Sequence, residues 1–224
     1  MSGVVGDLLF EQRAGGTVAK ARPTAPPRRT EGSKAGERRL VWLSAAWNAL
    51  DEGSFQAWRR FAEASAVRNP ATGAWVVPNP YNLFCKYAGR VRQIDPGASL
   101  EGFRPPEGPF GGDSLGLTVS TAFRPLPQPP LQDEPLGEEA LRFSADRANA
   151  EGVVTELLTQ PLVNARRRVY PDRYVSRGFV AFAGPETMEV PCEPGAYACA
   201  FRFVRAATGQ ATAIFELGVV EVRA

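Results

Sequence analysis

Apolar residues recur along this chain in two different rhythms, and the change from one to the other divides it. From Ser33 the spacing is helical. Leu40, Leu43, Trp47 and Leu50 fall on one stripe, while Arg38, Arg39, Asn48 and Asp51 fall largely off it. Asp51-Glu52-Gly53-Ser54 predicts a turn, with Ser54 placed to cap a second helix whose stripe is Phe55, Trp58, Phe61 and Ala62. A loop around Asn69-Pro70 and Thr72-Gly73 comes next. Asn79-Pro80 then supplies a cap and a first-turn proline for a third helix, on which Tyr81, Phe84, Ala88 and Val91 share a face. The spacing predicts one aromatic core, with Leu43, Trp47 and Leu50 against Trp58, Phe61 and Phe84.

From Ser114 the period falls to two. Leu115, Leu117 and Val119 alternate with Gly116, Thr118 and Ser120, and Leu141 and Phe143 alternate with Arg142 and Ser144. Further strands are expected at 153–158, 174–183, 197–205 and 211–222, the last two joined by a turn at Ala207-Thr208-Gly209-Gln210. Short strands separated by turns, with no helix-length segment among them, predict an antiparallel sandwich of the immunoglobulin or fibronectin type III kind. The absence of a Cys…Trp…Cys spacing favours the fibronectin-like version.

Ahead of both regions, residues 4–13 and 17–22 read as an extended hairpin about Ala14-Gly15-Gly16. Pro23, Pro26 and Pro27 keep the following stretch extended. Such a hairpin cannot hide Leu8, Leu9 and Phe10 by itself. These residues, with Arg13, Lys20, Arg22, Arg28 and Arg29, are therefore candidate docking residues of an arm that packs on another chain. The expected organisation is α+β: a docking arm over 1–32, a unit of three short helices over 33–94, a Pro/Gly-rich linker over 95–113 and a sandwich over 114–224.

Charge sharpens the picture of the arm. The whole chain of 224 residues carries a formal net charge of +2, but Arg13 to Arg39 holds eight basic residues against two acids. The remainder is acidic, with carboxylates gathered between Asp133 and Glu151. This asymmetry suits pairing with acidic protein surfaces, including copies of the same chain. Arginine outnumbers lysine in it, and a guanidinium matches a carboxylate bidentately, so protein partners are expected in preference to a phosphate backbone. A second basic cluster, Arg166, Arg167, Arg168 and Arg173, is a candidate contact for an acidic neighbour.

Composition removes several kinds of chemistry. With no histidine there can be no Ser-His-Asp triad, no Cys-His dyad and no histidine-ligated metal. Three cysteines (Cys85, Cys192, Cys199) without a CxxC pair do not form a zinc site pattern. Cys192 and Cys199 could meet across a turn, though free thiols are the simpler expectation. The Ala14-Gly15-Gly16-Thr17 stretch lacks the spacing of a phosphate-binding loop. No enzyme activity and no cofactor are expected. No apolar run reaches the ~18 residues of a membrane span, and Met1–Asp7 has no signal-peptide start, so no membrane association and synthesis in the cytoplasm are expected.

Motifs in the first half resemble a known pattern. Pro27-Arg28-Arg29-Thr30, Trp47-Asn48-Ala49-Leu50, Ala57-Trp58-Arg59-Arg60-Phe61-Ala62 and Asn82-Leu83-Phe84, ahead of a proline-rich linker, resemble an uncharacterised family of virion-associated proteins encoded by phages and prophages. The chain departs from that pattern where an asparagine is usual near Pro27–Thr30. The resemblance covers roughly residues 13–95 by motif and the rest by architecture. It implies a virion structural role, as capsid decoration, minor capsid or tail-associated protein. The implied partners are other virion proteins and copies of itself in a symmetric assembly, the chain being made in the host cytoplasm. The rival expectations are a bacterial surface or filament subunit, or a non-catalytic binding module.

Overall fold

The computed structural model describes residues 3–5, 8–13, 16–21, 31–125, 137–163 and 168–223. The chain separates into two compact units, 1–41 and 42–224. In the first, β1 (Gly3–Val5), β2 (Leu8–Arg13) and β3 (Gly16–Ala21) form an antiparallel sheet in the order β1-β2-β3, one strand more than the expected hairpin. Leu8 lies opposite both Val5 and Ala21, and Phe10 opposite Gly3 and Ala19.

Helix α1 (Glu31–Asn48) begins in the first unit and ends in the second. There it meets α2 (Glu52–Ala64) and α3 (Pro80–Ile94) around one aromatic cluster. Trp58, Phe84, Leu43, Ala88 and Val91 are buried, and Trp47, Leu50 and Phe61 pack against them. Trp47 meets Phe84 edge-on at 5.2 Å between ring centres, and Trp58 meets Phe84 likewise at 5.7 Å. These offset geometries are the ones aromatic quadrupoles favour. The predicted stripe on α1 is used only from Leu43 onward. Leu40, three residues earlier, is 58% exposed, because the aromatic cluster lies opposite the last turns of the helix.

The cap of α2 corrects the sequence expectation. Asp51 is the cap: its carboxylate accepts from Ser54 N at 2.8 Å and from Ser54 Oγ at 2.7 Å, and Ser54 is buried. A carboxylate one turn ahead reaches the free amides of the first turn, so Ser54 serves inside the helix as a donor. Those hydrogen bonds hold the Asp51 carboxyl below its ordinary range. At α3 the expectation stands: Asn79 Oδ1 accepts from Tyr81 N at 2.9 Å, with Pro80 in the first turn.

The expected loop at 69–73 is the tip of a small hairpin, β4 (Val67–Arg68) paired with β5 (Trp75–Val76). The expected linker is not a loose tether either. Leu100 is buried in the helical core, Phe103 packs on Trp58 and Phe84, and Phe110 packs on the sandwich core. The Trp58 indole N–H also donates to the Phe103 carbonyl at 3.0 Å. Proline and glycine shape this stretch, but its large apolar residues anchor it at both ends.

The sandwich is built from β6 (Leu117–Pro125), β7 (Gly137–Ala145), β8 (Val153–Leu162), β9 (Val175–Val180), β10 (Thr187–Pro191), β11 (Gly195–Arg205) and β12 (Phe215–Val222). A three-stranded sheet in the order β10-β7-β6 faces a four-stranded sheet in the order β12-β11-β8-β9. All pairings are antiparallel, as in the β-sandwich expected from the sequence. Leu141 and Phe143 from one sheet meet Leu157, Tyr197, Cys199, Phe201 and Phe203 from the other. Tyr197 Oη donates to the Glu193 carbonyl at 2.9 Å, four residues back, and makes the tyrosine corner common to such sandwiches. Among the described residues no helix is long and apolar enough to cross a membrane.

Candidate interaction surfaces

Strands β8 and β11 depart from simple alternation: residues 153–160 are buried without interruption, as are 196–201. One face carries Thr155, Leu157 and Thr159 opposite Phe203, Phe201 and Cys199, inside the sandwich. The other carries Glu156, Leu158 and Gln160 opposite Arg202, Ala200 and Ala198. Helix α3 reaches this outer side. Arg90 Nη1 donates to the Gly209 carbonyl at 3.1 Å. Gly209 has φ +68°, and a side chain there would bring its Cβ to 2.2 Å from the Tyr87 carbonyl oxygen. Only glycine permits both this backbone angle and this approach.

Charge is concentrated at the same contact. Arg202 Nε and Glu156 Oε2 pair at 2.5 Å, with the glutamate side chain 4% and the arginine 21% exposed. Burial first, and then the Arg202 charge, lower the Arg90 pKa, while Glu156 opposes them. Burial and the neighbouring Arg90 and Arg202 likewise lower that of Lys86. Glu156 is thus the carboxylate that offsets a small cationic group where helix meets sheet.

The β4–β5 hairpin faces water. Trp75 is 70% exposed, and Val67, Val76 and Val77 beside it are exposed as well. The hairpin is nonetheless firmly made: Asn69 N donates to the Ala74 carbonyl and Gly73 N to the Asn69 carbonyl, both at 2.8 Å. Asn69 Oδ1 accepts from Ala71 N at 2.9 Å. Arg68, cross-strand from Trp75, donates from Nε to the Gly73 carbonyl at 3.1 Å. The indole therefore stands on a short, internally bonded support.

A shallow groove of about 530 Å³ lies elsewhere in the helical region, between the end of α1 and the turn after α3. Ala45, Ala46 and Ala49 leave a hollow along α1, with Trp42 and Leu100 as apolar walls and Glu101 at the margin. The Arg92 guanidinium lies 4.7 Å over the Trp42 ring and donates to the Ala98 carbonyl at 3.1 Å, which fixes one side.

The sequence-predicted site residues fall unevenly on this structure. Arg168 and Arg173 come together in the connection between β8 and β9. Their guanidiniums lie over the Tyr170 ring, at 5.7 and 4.7 Å from its centre, beside a small hollow of about 120 Å³ at Gln160. Gln160 Oε1 accepts from Tyr170 N at 3.1 Å and holds the connection against the sheet. Arg166 and Arg167 lie outside the described residues, as do Arg22, Arg28 and Arg29. Leu8, Leu9, Phe10 and Arg13 lie on β2 and Lys20 on β3, with their side chains outside what is described. Trp75 was not among the predicted docking residues. Its one sequence signal is a tryptophan that belongs to none of the three helical stripes.

Cys85, Cys192 and Cys199 are free thiols. Burial pushes Cys199 up to about 12, with Cys192 adding to it, so this thiol stays protonated and acts as a core residue. Burial raises Cys192 and Cys85 as well.

No protein-family model, no curated protein and no solved structure matches the chain.

Proposed function

We propose that this chain is a structural, non-catalytic subunit of a phage virion, a capsid decoration, minor capsid or tail-associated protein that docks through its N-terminal arm and helical region. The observation that carries this reading is the β4–β5 hairpin, on which Trp75 is 70% exposed and Val67, Val76 and Val77 are exposed as well. A rigid apolar knob of that kind is a docking feature, since water is a poor neighbour for an indole and aromatic anchors dominate protein contacts. Two further features support it. The Arg168–Tyr170–Arg173 stack offers two guanidiniums to an acidic neighbour, and the Arg13–Arg39 segment carries its excess of basic residues toward the same class of partner.

The test is mass spectrometry of purified particles from the phage or induced host that encodes the chain. Its peptides are expected to stay with the major capsid protein at a constant ratio through successive density gradients. Recovery only from the particle-free lysate, or from a surface or filament fraction, overturns the reading.

A further inference from the structure

We propose that the small hollow at Gln160 is a carboxylate site, in which Arg168 and Arg173 hold one aspartate or glutamate side chain of a neighbouring subunit. The inference rests on the assembly-subunit reading above and names the group that one of its basic features recognises.

The two guanidiniums are positioned without being used. Arg90, Arg92 and Arg202 donate guanidinium N–H groups to Gly209, Ala98 and Glu156. Arg168 and Arg173 instead lie over the Tyr170 ring, at 5.7 and 4.7 Å from its centre. Among the described residues neither pairs with a carboxylate, Asp172 of the same turn included. Contact with an aromatic ring leaves the N–H fork of a guanidinium open to an oxyanion, which it matches bidentately. The ring itself is fixed from below. Gln160 is 5% exposed and its Oε1 accepts from Tyr170 N at 3.1 Å. Arg173 N donates to the Tyr170 carbonyl at 3.0 Å across the short turn that opens at Pro171. Side chains held in this way lose less freedom when they close on an anion.

Size and lining select the anion. The hollow of about 120 Å³ has room for about four waters at about 30 Å³ each. That space admits a carboxylate with its methylene stem and excludes a sugar or a nucleotide base. The charge lining it is positive only, whereas the groove beside Trp42 carries both Arg92 and Glu101. Pro161 and Leu162 supply an apolar wall suited to the stem of an acidic side chain. A free phosphate would turn oxygens toward that wall as well.

Nuclear magnetic resonance of the full, isotopically labelled chain titrated with propionate tests this. Saturable shifts are expected at the Tyr170 amide and at the Nε–H groups of Arg168 and Arg173. Propionamide, of the same shape without the charge, should leave them in place. Arg168→Gln and Arg173→Gln change exposed side chains, and each should weaken propionate binding by about five-fold, the weight of a half-exposed ion pair. The double variant should lose saturation altogether. Tyr170→Leu removes the ring on which the guanidiniums rest and should weaken binding too, while Tyr170→Phe keeps the ring and should bind as the wild type does.

Shifts that never saturate overturn the proposal. So does an equal response to propionamide, an unchanged affinity in the double variant, or tighter binding of inorganic phosphate than of propionate at the same ionic strength. A chain that binds propionate here yet is absent from purified particles would keep the site and lose the virion reading. A chain that travels with particles and binds no carboxylate would do the reverse.

Discussion

Two arginine–glutamate pairs cross neighbouring strands on the outer faces of the two sheets, and their surroundings make them different interactions. Arg142 Nη2 meets Glu189 at 2.9 Å between β7 and β10, with side chains 41% and 35% exposed. Arg202 meets Glu156 between β11 and β8, and there the glutamate is almost wholly covered. An exposed pair gains little over two hydrated ions, about 0–1 kcal/mol. A covered pair cannot be judged by its attraction alone, because each partner has lost its water and depends on the other. The contrast shows that the outer face is wetter at Arg142 and Glu189 of the three-stranded sheet, while the four-stranded sheet is covered over its central strands β8 and β11, where α3 comes near, and open along its edge strands β9 and β12.

The largest effect is expected from Glu156→Gln. Removing the carboxylate leaves Arg202 beside Arg90 and Lys86 without their counter-charge, and chemical denaturation should show a loss of about 3–5 kcal/mol. The sharper version is the double variant Glu156→Leu with Arg202→Met, which should recover most of that loss. A single variant as stable as wild type would mean that water reaches the pair.

Gly209→Ala comes next. The left-handed backbone alone costs a non-glycine residue about 1–2 kcal/mol, and the approach to the Tyr87 carbonyl adds to it. Thermal unfolding followed by tryptophan fluorescence should report it, since Trp42, Trp47, Trp58 and Trp75 all belong to the helical region. A melting temperature equal to wild type would show that α3 can move off the turn freely. The smallest effect is expected from Glu189→Gln, within about 1 kcal/mol on the same denaturation assay. A loss as large as that of Glu156→Gln would break the comparison and place the outer face of the three-stranded sheet under cover as well.

The same contrast explains what could be read from the sequence. Period-two alternation is visible where one face is wet, as at Leu141-Arg142-Phe143-Ser144, and in β8 the run Val153 to Gln160 reads only as continuous burial. The helices were legible because Leu43, Trp47, Trp58, Phe84 and Val91 repeat at helical spacing over several turns. Strand β10 and the β4–β5 hairpin were not, being five and two residues long with loop residues around them. The candidate surfaces were half legible. Arg168 and Arg173 announced themselves as a basic cluster, but the Tyr170 ring between them and the groove beside Trp42 depend on which parts of the chain meet. The exposure of Trp75 was masked by the general rule that tryptophan belongs inside.

The stretch between the helices and the sandwich has a mechanical consequence. Phe103 is fixed in one core and Phe110 in the other, and seven residue steps can reach about 25 Å at most. Pro105, Pro106 and Pro109 remove backbone freedom from that span, and the Gln210 amide grips the Gly108 carbonyl at 2.7 Å. Such a span has few backbone conformations left to lose, so it is too short and too restrained to serve as a long entropic spring. A force applied to the helical core would reach the sandwich through this short segment, since Phe103 and Phe110 are held in the two cores.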